Sequence, residues 1–537
     1  MMNLPSIIAV TLLIVLGVCI GQDDVSFTEE PLSPYLVVID GGSTGSRLHI
    51  FQFIHDKESA SYQCERRGSS RANVPMSSFA PEEDELLDPE VVAAHMLPPF
   101  EFAADVIPPE YHNTTIVKYQ ATAGMRLLTE QQQEAVYDAL YLGLMQSESF
   151  VFKGIERNDI ATLSGSLEGY YGAVAANFLS GIIEANLQVV RKDDDLNNQQ
   201  THPIGALDMG GSSTQIVYLT EQVDNGSHSC ANSPPDSTGS SGDDPESYGD
   251  EEFPQTCPSD LVDQPMLQGD QFFSTSYLAY GVDQFRERLW DTLISGRLAQ
   301  DHSDSCDTKV ILYPCGFKGH QITWNDFTLI GTGDAGECTK QVQRLLPHPE
   351  EAIDNHHEHS GRVVGGIEHP TVRGRFFAMS LYFFTLDSLR VLSSHDDLDT
   401  AWPQPSINEL TDALEGLCSR AWQGDLEEIQ HNAHQFTRAE VLPHRCFESC
   451  YMVSLLRDGF GFHPESRDIT FTFLVDGSEV EWSLGMSLEL YSLKASSKNM
   501  SVHMDATCHD QNVTSQQMEA ALPEVQASTF GLVQGSD

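Results

Sequence analysis

Two stretches place a carboxylate at the lip of a turn made of glycines and hydroxyl side chains. LVVIDGGSTGSRLHIF carries Asp40, then Gly41, Gly42, Ser43, Thr44, Gly45 and Ser46. GALDMGGSSTQIVYL repeats the device with Asp208, Gly210, Gly211, Ser212 and Ser213. Glycine lets backbone N–H groups turn inward and approach a ligand closely. A concave row of such amides binds anions, and Ser and Thr hydroxyls add donors without bulk. An aspartate there cannot bind phosphate directly, because like charges repel. It makes chemical sense if Mg2+ or Ca2+ stands between the two, directly or through water. Two such copies would grip successive phosphates of one chain. The competing reading is a pair of Gly-rich structural turns. The Walker pattern G-x-x-x-x-G-K-[ST] is absent, and each turn leads into a strand.

Two further segments lie between the copies. VKYQATAGMRLL, Val117 to Leu128, is a strand ending in a small-residue turn with Thr122 and Arg126. SGSLEGYYGAVAANFLSG, Ser164 to Gly181, sets Glu168 beside Gly165 and Gly169 at the opening of an apolar helical run. A carboxylate in the first turn of a helix complements the helix dipole. Opposite a phosphate-binding pair, it could instead take a proton from water as a general base. From the segment alone the helix-dipole reading is the stronger of the two.

The elements that must position these residues are legible around them. Leu36 to Ile39 is an apolar run that reads as a buried strand, and Leu48 to Phe53 alternates as a second strand. The same strand–turn–strand pattern around Asp208 predicts one copy in each of two similar domains. A chain of 537 residues is too long for one ordinary core, which agrees. A short polar linker runs to about Pro34, and residues 193–200 form a polar loop. Residues 225–264, rich in Ser, Gly, Asp and Pro, read as a solvated insertion. Residues 348–369 read as a second polar insertion, containing His356, His357 and His359. Clustered histidines could bind a metal, but a solvated loop accounts for them.

Charge narrows the partners. With 79 Asp plus Glu against 29 Lys plus Arg, the formal net charge is −50. Nucleic acid and anionic membrane are disfavoured as main partners. A phosphate substrate would meet a repulsive field that a divalent cation relieves locally. The N-terminus has an apolar core from about Ile7 to Ile20, the length of a signal-peptide h-region, with cleavage expected near Gly21. The start of the chain lacks Lys or Arg, so an uncleaved anchor competes, and membrane contact is expected only in that case. Of 11 cysteines, loss of Cys19 with the leader would leave an even number. Asn113, Asn225, Asn499 and Asn512 open Asn-x-Ser/Thr acceptor sites. Together these predict a secreted protein or one of the secretory-pathway lumen. Cys306 with Cys315, and Cys446 with Cys450, are close enough in sequence to pair, although spacing does not fix connectivity.

The order of DGGSTGSR, ATAGMR, GSLEGYYG and DMGGSSTQ resembles the first four apyrase conserved regions of the nucleoside triphosphate diphosphohydrolase (apyrase, GDA1/CD39) family. ITFTFLVDGSEVEWSLGMSLEL, with Trp482 and Gly485, is similar to the fifth, and CFESCYMVSLLRDGFGF also looks like family sequence. The resemblance runs from about Tyr35 to Leu493, less the two insertions. It implies an α/β fold of two RNase H-like domains, of the actin, Hsp70 and sugar-kinase type, with nucleotide in an interdomain cleft. Domain I would span 34–177 plus 466–520 and domain II 178–465, after a leader over 1–21. By resemblance, Asp40 and Asp208 hold the metal through water and Thr122 lies near it. Ser43, Thr44, Gly45 and Ser46 form the first phosphate loop, and Gly210, Gly211, Ser212 and Ser213 the second. Glu168 matches the catalytic base, while Ser213 and Gln215 help position the attacking water.

Three positions depart from the family pattern. Gly41 stands where Ala is usual, Ala173 where many members have Trp, and Phe383 where some use Tyr to stack on the base. Stacking needs only a ring face. Core packing is the competing account for the aromatic cluster, and the stronger one for Phe377, Tyr382 and Phe384. The implied activity is Mg2+- or Ca2+-dependent hydrolysis of terminal phosphates from nucleoside tri- and diphosphates. A catalytically inactive nucleotide-binding or adhesion protein is one alternative, and a sugar-kinase-like phosphotransferase another.

Overall fold

The computed structural model describes residues 33–55, 62–82, 85–190, 202–220, 267, 269–300, 309–347 and 362–493. The expected leader over 1–21, the expected insertion over 225–264, the three clustered histidines and three of the four acceptor asparagines lie outside them. Asn113 is described, and it is exposed in a turn, as a glycan acceptor requires. Among the described residues no helix is long and apolar enough to cross a membrane. The chain divides into two compact units, residues 1–54 with 64–164, and 55–63 with 165–537.

The first unit is built on β1 (Tyr35–Gly42), β2 (Gly45–His55), β3 (Tyr62–Ala72), β4 (Ile116–Ala121) and β5 (Ile160–Thr162). The sheet order is β3-β2-β1-β4-β5. β1 and β2 form an antiparallel hairpin closed at Gly42 and Gly45, while β4 pairs parallel to β1 and β5 parallel to β4. β1 is buried on both faces, which is why it reads as an unbroken apolar run rather than an alternating one. Val37, Ile39, Leu48 and Ile50 share a core with Val136 and Leu140 of helix α1 (Glu130–Gln146). Thr129 and Gln132 close a capping box at the start of α1, so two otherwise orphaned N–H groups are bonded.

The second unit opens with helix α2 (Gly165–Leu179), then β6 (Gly205–Met209), β7 (Ser213–Leu219), β8 (Phe272–Leu278) and helix α3 (Val282–Gln300). A small sheet follows, of β9 (Val310–Tyr313), β10 (Gln321–Trp324) and β11 (Phe327–Gly331), and then a hairpin of β12 (Arg362–Val364) and β13 (Ile367–His369). β14 (Phe376–Ala378) and β15 (Ile469–Phe471) complete the main sheet, in the order β15-β14-β6-β7-β8. β6, β7 and β8 run antiparallel in turn, and β14 and β15 are parallel to β6. Read from β8, this is the strand order of the first sheet, and β6–β7, β6–β14 and β14–β15 match β1–β2, β1–β4 and β4–β5 in direction. The expected duplication of one α/β unit is therefore present down to strand topology. Helices α4 (Leu381–Ser393), α5 (Ile407–Cys418) and α6 (Arg445–Ser454) lie in sequence between β14 and β15, and their buried faces join one core.

Three features differ from the sequence reading. β15 pairs with β14, so the chain does not return to the first sheet near 466. The helical residues 482–493 also stay with the second unit, where Tyr171 of α2 donates to Glu489 at 2.6 Å. The end of the polar insertion at 362–369 is a hairpin rather than a loop, because Val364 is fully buried and His369 bonds Gly459 O at 3.1 Å. Among the described residues the disulfides are Cys315–Cys338 and Cys418–Cys446. Cys446 and Cys450 lie one turn apart on α6, and α5 delivers Cys418 to the first of them, leaving Cys450 a buried free thiol.

Candidate functional site

In the first unit, β1 and β4 are parallel neighbours, so their C-terminal ends deliver Asp40 and Thr122 to one edge. Asp40 stands opposite Arg47 in the hairpin and beside Gln120 of β4. Thr122 precedes the short helical turn Ala123–Arg126, and its N–H donates to Gly41 O at 3.0 Å. Ser43 and Thr44 form the hairpin tip, half-buried and exposed respectively. Gly45 adopts φ +139°, and a Cβ there would lie 2.3 Å from Ala72 O, so only glycine closes this turn. Ser46 does not share the tip. Its hydroxyl is 1% exposed and bonds Tyr119 Oη at 2.9 Å in the core. Arg71 Nη2 donates to Thr44 Oγ1 at 3.1 Å, bringing a guanidinium to the loop from the neighbouring end of β3.

In the second unit the hairpin register fixes a cluster. Asp208 stands opposite Gln215, and Gln215 opposite Ser276. Directly opposed residues share a face, as do residues two apart on one strand, so Asp208, Ser213, Gln215 and Ser276 project together. Gln215 Nε2 lies 2.9 Å from Ser213 Oγ, 3.1 Å from Ser276 Oγ and 3.1 Å from Glu168 Oε2. Glu168 reaches this point from the first turn of α2. Gly169 allows the approach, because a Cβ there would lie 2.7 Å from Val217 Cγ2 and 3.1 Å from Ser274 Oγ. Ser274 Oγ donates to Ser166 O at 2.5 Å and fixes the end of the helix on β8. Two of the readings left open by the sequence are thus joined in space: Glu168 is bonded to the residue proposed to position water.

Asp208 carries the second carboxylate. Its Oδ1 is shielded from solvent and has no hydrogen-bond partner. Burial holds its carboxyl above the usual range, opposed by hydrogen bonds from Ser380 and the Met209 backbone. A shielded carboxylate oxygen without a donor calls for a cation. The oxygen donors available from carboxylate and hydroxyl suit a hard ion such as Mg2+ or Ca2+. Ser380 has φ +52° at the start of α4, a conformation costly for a residue with a side chain and concentrated at functional sites. Below Asp208, Thr214 Oγ1 donates to its carbonyl at 2.7 Å and contacts Tyr382 Oη at 3.1 Å, so the strand end is braced from the core.

Phe383 is only 7% exposed and is packed by Phe384, Trp402, Phe436 and Phe473. It offers no open ring face. Phe384, Phe436 and Phe473 are each half-buried, with ring centroids 5.0 to 6.0 Å apart. Tyr382 is fully buried, as core packing predicts. Ala173 is fully buried within α2, and Gly485 lets residues 482–493 approach that helix, since a Cβ would lie 2.0 Å from Tyr171 O. Ser276, Ser380 and Arg71 escaped the sequence reading because each is a single polar residue on a different element. Only strand register or helix capping brings them to the loops.

Twin sheets with an Asp-bearing Gly/Ser hairpin on each define a two-unit α/β protein built to handle phosphate. The chain belongs to the GDA1/CD39 (nucleoside phosphatase) family, whose pattern matches residues 27–244 and 258–503. Membership makes it a hydrolase of phosphoanhydride bonds and sets aside the phosphotransferase and the non-enzymatic alternatives. It is 26% identical over 484 residues to ectonucleoside triphosphate diphosphohydrolase 1 of Mus musculus, covering 86% of this chain and 81% of the relative. It is 26% identical to the probable apyrase 6 of Arabidopsis thaliana, covering 85% and 72%. To the nucleoside-diphosphatase mig-23 of Caenorhabditis briggsae it is 25% identical, covering 87% and 79%. The solved nucleoside triphosphate hydrolase structure from Neospora caninum shares the fold, with TM-score 0.56 at 16% identity over 85% of this chain and 92% of that one.

Proposed function

We propose that this protein removes terminal phosphates from nucleoside tri- and diphosphates by in-line attack of a water that Glu168 deprotonates. The observation that carries the assignment is the bond between Glu168 Oε2 and Gln215 Nε2 at 3.1 Å, within the Ser213, Gln215, Ser276 cluster. Gln215 has two N–H hydrogens for three acceptors, so the Glu168 carboxylate shares this donor with Ser213 and Ser276 and is oriented by it. Ser213 Oγ and Gln215 place the water. Its oxygen forms a bond to the terminal phosphorus, its proton passes to Glu168, and the bridging P–O bond breaks with its electron pair going to the departing nucleotide. The Asp208 carboxylate would hold a divalent cation in the second unit, and Asp40 and Thr122 offer oxygen donors of the same kind in the first, with Mg2+ and Ca2+ equally suited to them. Such a cation, when bound, neutralises charge on the phosphoryl oxygens.

The backbone amides of Gly211, Ser212 and Ser213 and the tip residues Ser43 and Thr44 are assigned to phosphate oxygens, while the Gly210 N–H is taken by Ser213 O at 2.9 Å. Ser46 contributes its backbone only, since its hydroxyl belongs to the core. Base stacking is assigned to the half-buried rings of Phe384 and Phe436 in place of the buried Phe383. The apolar run from Ile7 to Ile20, the acceptor asparagines and the two disulfides among the described residues support a secretory location. Phosphate release from several nucleotides, with EDTA and after adding back Mg2+ or Ca2+, tests the whole reading. Full turnover in excess chelator would refute the cation's role.

A further inference from the structure

The second hairpin turn is held from behind by a segment outside every motif quoted above. Val282 N–H donates to Gly210 O at 3.0 Å, Asp283 N–H to Gly211 O at 2.9 Å and Gln284 N–H to Gly211 O at 3.2 Å. Ala279, at φ +65°, donates to Ser212 O at 2.8 Å. Three consecutive turn carbonyls are therefore tied toward residues 279–284, which run into the first turn of α3. Within a planar trans peptide the C=O and N–H point in opposite directions. Tying the carbonyls of 210, 211 and 212 to one side aims the amides of Gly211, Ser212 and Ser213 to the other.

Gly281 makes the approach possible. A Cβ there would lie 2.3 Å from both Ser212 N and Ser213 N, and 2.4 Å from Gly211 C. All three are backbone atoms, which cannot swing aside as a side-chain tip can. Asp283 Oδ2 stands 2.6 Å from where a Cβ on Gly211 would be, so the turn is also closed to side chains from that direction. Arg286 bonds Asp283 at 2.8 Å and offsets the repulsion that this carboxylate would exert on a bound anion.

We propose that Gly281 and the first turn of α3 are a positioning element that presets the phosphate-binding amides of residues 211–213. The proposal rests on the assignment of that turn to phosphate. Preset amides stabilise charge without reorganising during the reaction, whereas a turn displaced by an extra methyl must be rebuilt around each substrate. The element grips no substrate atom itself. Its effect is read through the turn.

The test is Gly281→Ala in the full chain, with Gly296→Ala as the control. Gly296 lies on α3, which Gly281 immediately precedes, and a Cβ there meets nothing within 4 Å. Gly281→Ala is expected to lower kcat/KM by about 10²-fold. Inhibition by inorganic phosphate should weaken by about tenfold, while the control keeps both values. A purely structural role would lower the melting temperature and the active fraction but leave the phosphate inhibition constant unchanged. If the alanine variant does not fold, hydrogen exchange on the unmodified protein decides, with Mg2+ and a non-hydrolysable nucleoside triphosphate as probe. The amides of Ala279, Val282, Asp283 and Gln284 should be protected with or without the probe, and those of Gly211 to Ser213 only with it. Rapid exchange of the first group overturns the clamp. Absence of probe-dependent protection at Gly211 to Ser213 overturns the phosphate assignment and this inference with it. Protection there, combined with unchanged kinetics in Gly281→Ala, overturns this inference alone.

Discussion

Replacing Glu168 with Gln separates its two possible roles by magnitude. The substitution keeps size, and the new amide oxygen can still accept from Gln215 Nε2, which now lies 3.1 Å from Glu168 Oε2. A charged acceptor becomes neutral, which weakens one hydrogen bond by about 1 kcal/mol. Loss of a helix-dipole partner costs at most a similar amount. If Glu168 only complements the helix, stability falls by about that much and the rate is nearly unchanged. If it is the base, glutamine cannot take the proton, and the rate falls by roughly 10²- to 10⁴-fold, about 3 to 5 kcal/mol of barrier. The two outcomes differ by more than the error of either estimate. Nucleotide binding should persist, because phosphate grip is assigned to the hairpin turns. The assay is phosphate release beside equilibrium binding of metal-nucleotide on protein shown to be folded by circular dichroism. Near-normal turnover would remove Glu168 from the mechanism and leave a water positioned by Ser213 and Gln215 alone.

Other expectations follow from the same geometry. Asp208→Asn should raise the melting temperature of metal-free protein, because a shielded carboxylate oxygen without a donor is removed, and should abolish the further rise that Mg2+ or Ca2+ gives the parent; a retained cation-dependent rise would exclude Asp208 as a ligand. Phe384→Ala should raise KM for nucleotides several-fold with little change in inhibition by inorganic phosphate, whereas Phe383→Ala should chiefly lower stability, by about 3 to 5 kcal/mol in urea melts; the reverse pattern would return base stacking to Phe383. His444 is pushed down to about 3, by burial first and then by Arg286. Its unfolded form takes a proton near pH 6.5 that the folded form refuses, so its contribution to stability is full above that pH and is lost as pH falls toward 3. His444→Gln should flatten the fall in stability across this window, and an unchanged slope in urea titrations would show that other groups set it.

The strand–turn–strand pairs were legible because their signals are local. An apolar run, an Asp, a Gly/Ser/Thr turn and an alternating strand all lie within about sixteen residues, and both hairpins formed where they were expected. The doubling of the unit followed from the repeat. What stayed hidden depends on register or on which side of a helix a residue lies. Phe383 and Phe384 are neighbours in an apolar run, and successive helical residues point about 100° apart, so one is enclosed and the other half-open. Periodicity cannot choose between them when both flanks are apolar. The pairing of Cys418 with Cys446 was similarly invisible, since it is set by α5 crossing α6 rather than by spacing. Gly281 follows the strand that crosses Gln215, and nothing in YGVDQF marks its closeness to Ser212 and Ser213.

The shared strand order has an unequal consequence for the two units during synthesis. The first sheet has all its strands once Thr162 has emerged from the ribosome, and its innermost hairpin needs only the residues up to His55. The second sheet begins with β6 but receives its last strand at Ile469, after α4, α5 and α6 have been made. Until then β14 is an uncovered edge of three residues, with Phe376 and Ala378 on it. An unpaired apolar edge is a template for another chain. Its short length limits that hazard, and the delay places the most exposed moment of this chain's biogenesis in its second half.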